Sequence, residues 1–214
     1  MLRLEEIEIK IRDAILRGEY RAGERLIEAD LISKYEASRT IVREALRNLN
    51  STGLLKYIPK KGHSVRKFSL EEIKNTYDLI CLMEGYACKI STPSFKKQDI
   101  DELKELQEQI AGIVKKNDFK KYRELNTVFH GIFVNLTGNN VLKEEIITLR
   151  TRINTYRYLP LMIPGALENY TKDHEAIIKC VMRKNPQKVK LAMEKHIKRV
   201  KKYLILAIEH SPLM

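Results

Sequence analysis

Cysteine is scarce in this 214-residue chain and tryptophan is absent. The three cysteines, Cys81, Cys88 and Cys180, show neither the pair spacing of a structural metal site nor a disulfide framework. They read as small core residues of a protein kept in a reducing compartment. No apolar run approaches the roughly 18 residues that a membrane span needs. The N-terminal stretch is charged and amphipathic and does not set a basic start before an apolar run. The expectation is a soluble, cytoplasmic protein with no membrane contact. Also missing are a low-complexity run, an internal repeat, a Gly-rich phosphate loop, an HExxH pair and a nucleophile elbow, which argues against several enzyme classes.

What is present in excess is positive charge. The net charge is +12 and the pI is about 9.5, which favours polyanionic partners without naming one. The distribution says more. Between Tyr35 and Lys67 there are eight Lys or Arg against two acids, Glu36 and Glu44. The Lys-rich stretch from Lys184 to Lys202 reads instead as a solvated helix face.

The basic segment has a recognisable architecture. Ser38 is a good N-cap, and Ile41, Val42, Ala45, Leu46 and Leu49 supply a helical apolar face. Arg39, Thr40, Arg43 and Arg47 fall elsewhere on that helix. Its first turn offers forked guanidinium donors and a hydroxyl beside free backbone N–H groups, which suits phosphates and guanine edges in a major groove. Gly53 ends the helix. Leu54 to Ile58 and Ser64 to Phe68 then read as two strands joined by Pro59-Lys60-Lys61-Gly62-His63, with Gly62 free to take positive φ at the tip. Upstream, Ile7, Ile11, Ile15 and Leu16 predict one helix ending near Gly18, and Glu28 to Tyr35 predicts a second. Helix, helix, helix, hairpin is the order of a winged helix-turn-helix.

These residues resemble the GntR family of bacterial transcription regulators. The family's Gly-x-x-x-x-Gly-x-x-Leu segment appears as Gly18 to Leu26, its Ser-Arg-Thr-Pro-Val-Arg-Glu-Ala-Leu helix as Ser38 to Leu46, and its Gly-Leu-hairpin-Gly wing as Gly53 to Gly62. Ile41 stands where the family has Pro, and Tyr35-Glu36-Ala37 where it has Leu-Gly-Val. The resemblance implies that Arg39, Thr40 and Arg43 approach bases and phosphates, with Lys61, Gly62 and His63 at the wing.

A capping box, Ser69-Leu70-Glu71-Glu72, opens a new helix directly after the wing and puts the domain boundary at 68/69. Residues 1–68 are expected to form the DNA-binding domain and 69–214 an all-helical one. The second reads as six helices, near Ser69–Ser91, Lys97–Lys116, Asp118–Leu136, Asn140–Tyr158, Ala166–Lys184 and Pro186–Glu209, parted by turn signals and packed as an antiparallel bundle. His130, His174 and His196 each sit on the apolar face of a different helix. One inward histidine is an ordinary core residue. Three that converge are costly to bury unless something engages their lone pairs, as a divalent metal does. Asn126, one turn before His130, offers a fourth contact.

The bundle in turn resembles the FCD effector domain of the FadR-type branch of that family. The matching pieces are Asn126-x-x-x-His130, Asp173-His174-Glu175-Ala176-Ile177 and Ala192-Met193-Glu194-Lys195-His196. Six helices point to the shorter, VanR-like subgroup. The resemblance implies one zinc, nickel or similar ion per chain. Asn126 replaces the family's Asp and leaves the ligand set one negative charge short. It also implies a small carboxylate effector at the open metal position. The family's Arg one turn before the first-helix Glu is Ile80 here, before Glu84, so Arg150, Arg152 and Arg157 are the candidates to replace it. The function this predicts is a homodimeric, effector-controlled regulator, expected to repress, on a near-palindromic operator, because one short recognition helix reads too few base pairs to be selective alone. The competing reading is a small all-α metal-dependent hydrolase with Glu175 as base. Glu175 directly follows His174 and so projects about 100° away from it around the helix.

Overall fold

The computed structural model describes residues 3–209, apart from the side chains of Leu16 and Arg17. They fall into two compact units. One runs to Ser69 and takes in Arg150–Thr155; the other comprises Leu70–Leu149 and the chain from Tyr156 on.

In the first unit α1 (Leu4–Arg17), α2 (Glu28–Tyr35) and α3 (Arg39–Ser51) surround a core of Ile7, Ile11, Ile15, Leu31, Val42, Leu46 and Leu49. The side chain of Leu16, expected on the apolar face of α1, lies outside the described residues. Ser38 caps α3 as expected, its Oγ accepting from Ile41 N at 3.3 Å. The turn between α2 and α3 carries Glu36 at φ 50°, ψ 42°, the left-handed conformation that a family Gly would take without strain.

The sheet differs from the expected hairpin in two ways. A two-residue strand, β1 (Arg25–Leu26), joins β2 (Leu55–Ile58) and β3 (Gly62–Val65) in the order β1-β3-β2, all antiparallel. In addition, β3 starts at Gly62 rather than Ser64 and ends at Val65 rather than Phe68. The reason is the turn. Lys61 N bonds Ile58 O at 3.0 Å, so Pro59 and Lys60 are its corners and Gly62 already pairs with Ile58. Lys60 takes φ 65° at the corner where a type II turn prefers Gly, and Gly62 follows at φ 80°.

The second unit is the expected six-helix bundle: α4 (Leu70–Ser91), α5 (Lys97–Lys116), α6 (Phe119–Asn135), α7 (Asn140–Arg152, of which the residues to Leu149 belong to this unit), α8 (Ala166–Met182) and α9 (Pro186–Glu209). α7 stops at Arg152 and not at Tyr158. Asn154 and Thr155, which compete for backbone groups, and then Pro160 turn the chain into two short 3-10 segments. α4 packs along α9 in antiparallel sense, Asp78 bonding Lys201 at one end and Gly85 facing Glu194 further along. That approach needs a glycine: a Cβ on Gly85 would stand 2.8 Å from Glu194 Cγ. Among the described residues no helix is long and apolar enough to cross a membrane.

Candidate functional site

Two sites emerge, one in each unit. On α3 the buried stripe of Val42, Ala45, Leu46 and Leu49 leaves Arg39, Thr40, Arg43 and Arg47 exposed, as their spacing predicts. Arg43 is held in place, because its Nε donates to Glu28 Oε2 on α2 at 2.8 Å. The bond takes the inner nitrogen, Nε, and not the two terminal ones. Lys61 is exposed at the wing tip. His63 is not. Strand alternation turns it inward with Val65, it is only 7% exposed, and its ring lies 5.1 Å from Tyr57. Burial lowers its pKa; Glu28 opposes that and Arg47 adds to it. The imidazole expected at the wing tip is therefore a core group. Sequence reasoning missed Arg25 and Lys56. Pairing sets them on either side of Ser64 in one row across the sheet, both exposed, and Arg25 Nη2 reaches to 4.0 Å from where a Cβ on Gly62 would stand.

In the bundle, His130 of α6, His174 of α8 and His196 of α9 converge. Each offers one ligand nitrogen, and these lie within 4.8 Å of one another. Their exposures are 4%, 0% and 1%. Each imidazole has a neighbour behind it. Glu84 Oε2 lies 2.7 Å from His130 Nδ1, so a carboxylate there puts the proton on Nδ1 and leaves Nε2 with its lone pair. His174 stacks on Phe129, with ring centroids 4.0 Å apart and planes 9° from parallel. Asp173 Oδ2 is 3.5 Å from His196 Nδ1 and accepts from Arg199 Nε at 2.8 Å. Burial pushes the Asp173 carboxyl up, but His196 and Arg199 outweigh it and hold the pKa below the usual 3.8. Three nitrogens around a tetrahedral zinc stand about 3.3 Å apart at Zn–N bonds near 2.0 Å, so closing on an ion asks each ring for a modest shift. The donor set fits a borderline-soft divalent ion.

Other residues are placed less decisively. Asn126 is half-buried, and its Oδ1 accepts from Tyr122 OH at 3.5 Å. Of the three arginines proposed for an effector, Arg157 belongs to the bundle unit and acts electrostatically on Tyr122. Arg150 and Arg152 group with the first unit, and Arg152 Nε lies 3.6 Å from where a Cβ on Gly53 would stand. The end of α7 at Arg152 separates them from Arg157. Burial holds Cys88 well above the usual thiol pKa and raises Cys81 to about 11, which keeps both thiols protonated.

A family model described as "FCD domain" matches residues 75–199, and one described as "Bacterial regulatory proteins, gntR family" matches residues 3–65. The chain belongs to the GntR family. It is similar to the Exu regulon transcriptional regulator of Escherichia coli K12, 27% identical over 218 residues that cover 92% of this chain and 82% of that protein. It is also similar to the uncharacterized HTH-type regulator YdhC of Bacillus subtilis, 25% identical with coverage of 85% and 81%. The solved structure of E. coli McbR/YncC shares the fold, with a TM-score of 0.83 at 22% identity over 95% of this chain and 98% of that one. As a GntR-family member with an FCD domain, the protein is a transcription regulator and not an enzyme. Glu175, the base of the hydrolase reading, is exposed on α8 while His174 beside it is buried. The family's departures also find their places: Ile41 is half-buried on α3, and Ile80 is buried one turn before Glu84.

Proposed function

We propose that this GntR regulator is a homodimeric repressor that reads a near-palindromic operator and is controlled by a small organic acid at a metal-containing site in the bundle. The observation that carries the control half is the convergence of three buried imidazole donors, two of them backed by Glu84 and Asp173. His130, His174 and His196 would hold a zinc or nickel ion, with Asn126 as a further oxygen donor. The ion would supply a Lewis-acidic anchor for a carboxylate oxygen. Glu84 and Asp173 orient the imidazoles, and the Phe129 stack keeps the His174 ring from turning.

On the DNA side, Arg39, Thr40, Arg43 and Arg47 reach bases and phosphates in the major groove. Lys61 and the Gly62 backbone approach the DNA at the wing, with Arg25 and Lys56 adding phosphate contacts. Arg157 is the effector arginine that the bundle supports best. Two copies place two recognition helices on one operator. Effector binding then changes operator affinity through a coupling on the order of 1–3 kcal/mol.

Elemental analysis of protein purified without a His tag tests the metal, with about one zinc or nickel per chain expected and a metal-free protein whose melting is indifferent to added zinc as the refuting result. A gel shift on operator fragments selected from random DNA tests the reader. Arg39→Ala and Arg43→Ala should each lose roughly 1–3 kcal/mol on the selected site, while Lys61→Ala weakens all sequences alike and flattens the salt dependence.

A further inference from the structure

Helix α4 meets its own bundle on three sides. Ile73, Tyr77, Ile80 and Glu84 are buried on its inner face. Asp78 and Gly85 lie along α9, while Met83, Ala87 and Ile90 pack with Val134 of α6 and with Leu142 and Ile146 of α7. The fourth side is an outward row of Glu72, Asn75, Leu79, Leu82, Tyr86 and Lys89, every one of them exposed. Its middle is apolar. Leu79, Leu82 and Tyr86 keep 50%, 61% and 51% of their surface open, a concentration that marks a surface made to be covered. Among the described residues no other bundle helix matches it: α7 exposes Val141 and Ile147, but these stand about 600° of helical turn apart and so on different faces.

The spacing of the row says what covers it. Its steps are 3, 4, 3, 4 and 3 residues, the alternation that keeps one seam of a helix against another helix over a length of about 26 Å. The series is the same from either end. Laid against an inverted copy of itself about a centre between Leu79 and Leu82, it sets leucine on leucine, the Asn75 amide on the Tyr86 phenol, and the Glu72 carboxylate on the Lys89 ammonium. A surface that complements itself in this way fits an isologous two-fold contact, in which each pair occurs twice. A parallel pairing sets Glu72 on Glu72 and Lys89 on Lys89, and like charges repel.

We propose that α4 packs antiparallel on the α4 of a second copy of this chain, across a two-fold axis between Leu79 and Leu82. Leu79 meets the partner's Leu82 at the centre, and Glu72 meets the partner's Lys89 at both ends. This rests on the homodimer reading above and names the surface that joins the two copies. The leucines supply the attraction, and the charges set the direction.

The test is sedimentation equilibrium of the full-length protein, with circular dichroism as the control for folding. Leu82→Glu should weaken the dimer by ~100-fold or more, because each dimer would then bury two carboxylates against leucine, and the outward position should leave helix content unchanged. Lys89→Glu should weaken it by about ten-fold, since acids then face each other at both ends, and adding Glu72→Lys should restore the wild-type affinity. A Leu82→Glu protein as tightly dimeric as the wild type would overturn the α4 contact and leave a homodimer joined elsewhere. A Lys89→Glu variant with no loss, or with a loss that Glu72→Lys does not repair, would overturn the antiparallel pairing. A wild-type chain that stays monomeric throughout the micromolar range would overturn the contact and the homodimer together.

Discussion

Replacing Gly85 by alanine puts two effects of known size against each other. In a helix interior alanine is favoured over glycine by roughly 0.8–1.0 kcal/mol. At Gly85, however, the new Cβ would meet Glu194 Cγ at 2.8 Å, closer than real Cβ contacts come, and Oε1 at 3.0 Å, tighter than most. Forcing atoms into a filled interface costs typically about 1–3 kcal/mol. The clash should win, with a net loss of about 1 kcal/mol, or a melting temperature roughly 2–4 °C lower in a chain of this size. The same change made in a Glu194→Ala background removes every clashing atom. There it should stabilise by the full helix-propensity gain of about 0.8–1.0 kcal/mol. The weak Lys190–Glu194 pair, 3.6 Å, is kept in both proteins with Glu194 and absent from both with Glu194→Ala, so it cancels. Thermal unfolding of the four proteins measures the cycle, and its coupling should be about 1–3 kcal/mol. An equal effect of Gly85→Ala in both backgrounds would show that contact with Glu194 is not what keeps this position small. Because Gly85 adjoins Glu84, the single variant should also bind zinc less tightly, and the double variant should recover.

Three further outcomes follow from the first unit. Glu36→Gly relieves a left-handed residue worth about 1–2 kcal/mol, offset by glycine's larger unfolded-state entropy, so a net gain of roughly 0.5–1 kcal/mol should appear in thermal melts. The folded-state pKa of His63 lies below the ordinary 6.5, so the unfolded chain binds the proton first as pH falls. Its contribution is therefore complete above about pH 6.5 and lost as pH drops towards the lowered value; melts between about pH 7.5 and pH 5.5 should show this slope, and His63→Gln should abolish it. Glu28→Gln should cost little stability, since the Arg43 pair is exposed and such pairs contribute roughly 0.2–1 kcal/mol. On DNA it should raise affinity for random sequence by removing a negative charge, yet lower the ratio of specific to non-specific binding by freeing Arg43, as competition gel shifts would read.

How legible a feature was in the sequence depended on whether its signal was local. α3 could be read because its cap and its apolar stripe lie within a dozen residues. The histidine trio could be read because each member sits on an apolar face that must turn inward. Glu84 and Asp173 were harder, since a carboxylate on an inner face has no meaning until the imidazole opposite it is known. β1 could not be read at all: two residues carry no periodicity, and what makes Arg25 and Leu26 a strand is the distant β3. The inward turn of His63 failed for a related reason, because the start of β3 was placed two residues late and the alternation was never applied to it. Arg157 was separable from Arg150 and Arg152 only once α7 was seen to stop at Arg152.

The small strand β1 also shapes how the DNA-reading unit folds. Its pairing with β3 ties residues before α2 to residues after the wing tip, so α2 and α3 lie inside a loop whose two ends are hydrogen-bonded. That is a non-local closure, slow to form because the chain must be gathered before the pairing rewards it. Once formed it leaves little room for partial opening: the recognition helix and the wing should exchange their amide hydrogens as one cooperative block. A lesion anywhere around that ring would then remove the whole reader at once instead of blunting a single contact.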